Sequence, residues 1–84
     1  MNEAMRAQAA RLRAMASRDA ADWLVQQLPH SAEAITLLRQ ISLKREDECR
    51  LARHYLGGAT HAADDAYRHF ARRLGVTALI DILA

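Results

Sequence analysis

Three side chains with metal-binding chemistry recur at helical spacing: His61, Asp65 and His69 stand at i, i+4 and i+8. Two imidazoles and a carboxylate suit a divalent metal. On a helix they share one face, but the histidines would sit about 12 Å apart along the axis, too far to hold one ion. Arg68 and Arg72 fall on the same side, where they pair with Asp65 and repel a cation. The expectation is a solvent face opposite the stripe that includes Phe70, with no metal and no cofactor.

The second candidate is the run LKREDECR, residues 43–50, which surrounds the only cysteine, Cys49. A thiol beside Arg45, Arg50 and Arg53 is a candidate for a lowered pKa. His54, five residues on, lies on another face, so a Cys–His nucleophile pair within one helix is geometrically poor. No oxyanion-hole motif accompanies it, and no arrangement of nucleophile, base and stabiliser can be assembled. With Ser42 as N-cap, Glu46, Asp47 and Glu48 occupy the early turns, which the helix dipole favours. Glu46 with Arg50, and Lys44 with Glu48, are weak i, i+4 pairs. The run reads as the solvated start of a helix whose buried side begins at Leu51.

The elements that position these groups are all helical. Ala, Leu, Arg, Glu and Gln dominate, and nothing alternates with period 2. Ser17, Ser31, Ser42, Thr60 and Thr77 are candidate N-caps. Pro29, the Gly57-Gly58 pair and Gly75 are stops. Short connections predict an all-α bundle of four to five short helices in antiparallel or orthogonal packing. The helix after Ser31, with Ala34, Ile35, Leu37, Leu38 and Ile41, is the expected centre. Ala63, Ala66, Tyr67, Phe70 and Leu74 form the next stripe. At the C-terminus Val76, Leu79, Ile80 and Leu83 form the last, and Ile82 falls off it.

The 84 residues carry a net charge of 12 − 10 = +2. Residues 1–16 hold Arg6, Arg11 and Arg13 against Glu3, or 3 − 1 = +2, so residues 17–84 are balanced at 9 − 9 = 0. The division expected is a basic, Ala-rich helical extension over 1–16 and a single helical domain over 17–84. Met15 is a candidate alternative start. No stretch reads as a signal peptide or membrane span, and a lone cysteine fits a reducing cytoplasm.

Leu51, Ala52 and Tyr55, followed by Ala66 and Phe70, fit the spacing of one tetratricopeptide-type helical pair, and the unit resembles such a pair. Its turn is longer than that motif's and no second copy exists, so the resemblance implies a packed helix hairpin that presents a surface, not membership. The same unit fails as a DNA-reading helix-turn-helix. Asp64 and Asp65 stand where donors to bases and phosphates belong, and Arg68, Arg72 and Arg73 come late.

The function expected is therefore a small, non-enzymatic protein–protein interaction module, binding another protein or itself as a homodimer. Trp23, Ile82 and Leu83 are its candidate apolar contacts, and Lys44, Glu46, Asp47 and Arg50 its polar rim. The alternative is a nucleic-acid-associated regulator using Arg6, Arg11, Arg13 and Arg18. No membrane role is expected.

Overall fold

Pro29 and the glycines cut the chain where the sequence says they should, but the pieces number six. The computed structural model describes residues 2–57 and 64–84. Its helices are α1 (Glu3–Ala14), α2 (Ser17–Gln27), α3 (Ser31–Leu38), α4 (Arg45–Leu56), α5 (Asp64–Leu74) and α6 (Val76–Leu83). The all-α reading holds. The count exceeds four to five because the basic segment and the C-terminal octapeptide are each a helix in full. Thr60, His61 and Gly58 lie outside the described residues.

Helix starts differ from the expected serine caps. The N-caps are Ala16, His30, Lys44 and Gly75, none with a side-chain cap bond. Ser17 and Thr77 lie inside the first turns, and Ser42 precedes α4 in the connection between α3 and α4. Among the described residues only Asn2 caps through its side chain, accepting from the Met5 N–H. Two glycines act differently. Gly57 ends α4 at φ −84°, so a positive φ is not what it supplies. It supplies space, because a Cβ there would meet the Arg53 carbonyl oxygen at 2.5 Å. Gly75, at φ 90°, forms the one-residue corner between α5 and α6, a conformation that other residues rarely adopt.

The centre of the fold is α4, not α3. It packs against α2, α5 and α6, while α3 joins α5 and α1. The core gathers Leu24, Leu38, Leu51 and Phe70 with Leu12, all fully buried. Leu12 and Ala9 belong to the expected basic extension, which the structure docks on the same core. With a radius of gyration of 12.1 Å, near the value of about 12 Å for a chain this long, α1 has no room to be an outlying arm. No helix among the described residues is long and apolar enough to cross a membrane.

Several exposed arginines complete helix ends. Arg73 donates to the Leu38 and Ile41 carbonyls, Arg13 to Gln40, and Arg45 to Leu74. These carbonyls terminate or follow α3 and α5, where orphan acceptors collect. Pro29 leaves a similar end on α2. The Tyr55 hydroxyl reaches the Leu24 and Leu28 oxygens there, at 3.1 and 2.7 Å. Burial raises the Tyr55 pKa to about 12.

Candidate functional site

The run LKREDECR enters the core. Asp47 and Glu48 are buried, which corrects the reading of a solvated helix start and removes Asp47 from any polar rim. The physical reason is the position of α4. Asp47 and Glu48 lie one turn before Leu51 and Ala52, on the face that α4 turns toward its neighbours.

Each buried acid has a different environment. Asp47 is hydrogen-bonded. The Ser17 hydroxyl donates to its Oδ2 at 2.6 Å, and the same oxygen of Ser17 accepts the Lys44 backbone N–H at 2.8 Å. Arg50 adds a contact to Asp47 Oδ1 at 3.4 Å and bonds Asp22 of α2 more closely. The Asp22 hydrogen bond, before its charge and that of Asp47, raises the Arg50 guanidinium above its already high pKa. Ser17, Asp22, Asp47 and Arg50 thus clamp the start of α4 to α2. Arg50 and Asp22 keep 42% of their side chains exposed, so the Coulomb part of this clamp is screened and small. Glu48 has no such partners among the described residues. It faces His69 of α5 across 3.7 Å, and both side chains are buried.

His69 is therefore not on a solvent face, which corrects the expectation for α5. Ala66, His69, Phe70 and Leu74 are its buried residues, while Tyr67 is exposed. Ala66, Phe70 and Leu74 of the expected stripe are buried, but it extends toward His69 instead of Tyr67, and Ala63 lies outside the described residues. Asp65 is exposed and pairs with Arg39 at 3.6 Å. Among the described residues no group of three His, Cys, Asp or Glu side chains gathers as a metal site. Cys49 is half-buried.

The C-terminal helix is also turned from the expected register. Leu79 is buried and Ala78 and Ile82 pack against the core. Val76 and Ile80 are 64% and 63% exposed, and Leu83 is exposed as well. On a wheel started at Val76, Leu83 and Ile80 fall within about 40° of it. Thr77 and Asp81 follow at about 100° and 140°, and Ala78, Ile82 and Leu79 at about 200°, 240° and 300°. Polar residues occupy one narrow arc. Two apolar arcs, one covered and one bare, fill the rest.

The remaining candidates are dispersed. Trp23 is half-buried beside a cleft of about 320 Å³ that also touches Met5, Leu28, Leu37 and Glu33. Lys44 and Glu46 are exposed. Arg6, Arg11, Arg13 and Arg18 are exposed, yet Arg13 is engaged by Gln40 and Arg11 by Gln8. Arg6 and Arg13 flank one side of the buried arc of α1, and Arg11 the other, so these arginines do not form one stripe. The site residues that sequence reading missed are Glu48 and His69 as a pair and Val76 with Ile80 as a surface. No protein-family model, no curated protein and no solved structure matches this chain.

Proposed function

We propose that this chain is a small helical interaction module that acts by binding another protein or a second copy of itself, without chemistry of its own. The observation that carries the reading is the bare apolar arc of α6. A helix apolar around most of its circumference belongs in an interior. Here Leu79 and Ile82 reach the core while Val76, Ile80 and Leu83 face water. Three large apolar side chains at i, i+4 and i+7 form a stripe that fits a groove or a second helix. In this reading Leu83 is an apolar contact on the stripe, and Ile82 supports the helix from behind. The exposed Lys44 and Glu46, and Trp23 with its cleft, remain available to a wider interface. So small an apolar stripe suits a weak or transient association. The single half-buried cysteine fits a reducing cytoplasm.

The experiment compares Ile80→Asp with Ile82→Asp by light scattering over a concentration series, by thermal melting and by capture from native lysate. Ile80→Asp should abolish concentration-dependent mass or the captured partner while melting within a few degrees of the parent chain. Ile82→Asp should lower the melting temperature. If Ile80→Asp folds normally and changes neither mass nor capture, the stripe is not an interaction surface.

A further inference from the structure

The α4–α5 contact closes over two ionisable side chains whose facing atoms find no hydrogen-bond partner among the described residues. Glu48 projects from α4 and His69 from α5, and each side chain is 4% exposed. His69 Nε2 stands 3.7 Å from Glu48 Oε2, within ion-pair range and beyond a good hydrogen bond. Glu48 Oε1, Glu48 Oε2 and His69 Nε2 have no hydrogen-bond partner among the described residues. This contrasts with Asp47, one residue earlier, which is held by Ser17 and Arg50.

The surrounding charges are engaged elsewhere or face solvent. On α4, Lys44 and Arg45 stand one turn before Glu48; Lys44 is exposed, and Arg45 donates to the Leu74 carbonyl. On α5, Asp65 precedes His69 by one turn and pairs with Arg39 of α3. Arg72 and Arg73 follow His69 by one turn. Arg72 is exposed, and Arg73 donates to the Leu38 and Ile41 carbonyls. From α6 comes only Asp81, which is exposed. From α2, on the other flank of α4, comes Asp22, which is bonded to Arg50.

We propose that Glu48 and His69 form a pH-sensitive latch, which holds α5 on α4 while the two share one proton and loosens when they hold none or two. With one proton, as carboxylate and imidazolium or as two neutral groups, the pair has no net charge. With none, a carboxylate is buried without a counter-charge or a hydrogen bond. With two, an imidazolium is buried beside a neutral acid. A buried charge stripped of its partner is strongly unfavourable, while an apolar pair of similar volume is often tolerated. Because the two sites are coupled, the proton count of the pair decides the outcome, not its assignment to either residue. α6 packs on both α4 and α5, but the latch does not depend on what α6 binds.

The test is urea unfolding from about pH 5 to about pH 8, the interval in which histidine changes charge. It uses the intact chain and a Glu48→Leu/His69→Leu chain. Because the unfolded chain gives up its histidine proton in this interval while the latch needs one, the folded-to-unfolded ratio of the intact chain should fall at least tenfold more from about pH 5 to about pH 8 than that of the double variant. His30, His54 and His61 are common to both chains, so their contribution cancels. Parallel pH profiles would overturn the proposal. If the double variant does not fold, the His69 imidazole resonance of the intact chain is followed instead. Backbone amides of both α4 and α5 shifting together with that resonance support the latch. An imidazole that titrates without moving any α4 amide, or does not titrate across the interval, overturns it.

Discussion

Truncating Leu12 to alanine tests whether the basic N-terminal segment belongs to the folded body. Leu12 is 1% exposed and among the largest fully buried side chains. A buried Leu→Ala change costs about 2–5 kcal/mol, less where the surroundings can collapse. Because α1 touches the rest mainly through α3, some collapse is expected, and about 3 kcal/mol is the working value. A domain of this length has roughly 4–13 kcal/mol of total stability, so Leu12→Ala removes a large share. It should shift the thermal midpoint down by roughly 12–24 °C. Arg13→Ala is the contrast. It loses one exposed hydrogen bond to the Gln40 carbonyl, worth about 1 kcal/mol. Deleting residues 1–14 removes Leu12, Ala9 and Met5 together and should cost more than Leu12→Ala. Circular dichroism melts of the three chains decide the matter. Leu12→Ala within about 0.5 kcal/mol of the parent, the range of a neutral surface change, together with an unchanged melt of the truncated chain, would refute the placement. It would return α1 to the role of an appendage.

Three further predictions concern single contacts. The Tyr55 phenol must be neutral to donate to the end of α2, and its folded pKa of about 12 exceeds the unfolded value of about 10. Its contribution is therefore complete below about pH 10 and is lost as the pH rises through the folded value. Tyr55→Phe should destabilise by about 1 kcal/mol and flatten the alkaline limb of urea midpoint against pH. Ser17→Ala leaves buried Asp47 short of one donor and frees the Lys44 N–H. A loss of about 1.5–3 kcal/mol is expected for a bond to a charged group, with Ser17→Thr restoring most of it in the same denaturation assay. Gly57→Ala should lower the melting temperature. A strain-free Gly→Ala change normally stabilises by about 0.4–1 kcal/mol, but here the new methyl would press on the Arg53 carbonyl.

Periodicity made the helices legible, because a period near 3.6 needs no tertiary information. Ala34, Ile35, Leu37, Leu38 and Ile41 are buried as their spacing implies, and so are Leu51, Ala52, Tyr55 and Leu56. The errors have separate causes. Glu48 stands three residues before Leu51, and His69 lies about 100° from Phe70, so each sits at the edge of a buried arc that local spacing leaves open to either side. Only the meeting of α4 with α5 makes each a neighbour of the other. The α1 segment reads as an extension because its arginines dominate its composition, while its packing depends on Ala9 and Leu12. In α6 the fault is degeneracy. Val76, Ile80 and Leu83 are as apolar as Leu79 and Ile82, so no pattern within eight residues chooses which side turns inward. Serine caps were read from local preference, and the Ser17 hydroxyl is instead used across the fold by Asp47 and Lys44.

The corner at Gly75 acts as an indexing stop for the last helix. One residue separates α5 from α6, so the rotational phase of α6 is set by chain length at that joint. Inserting a single residue after Gly75 would advance the helix by about 1.5 Å and turn it by about 100°. That turn would carry the Thr77–Asp81 arc into the place of Ala78 and Ile82, driving a carboxylate against the core. Removing a residue would turn the helix the opposite way. The corner therefore tolerates little change in length, although nothing crowds the space around it.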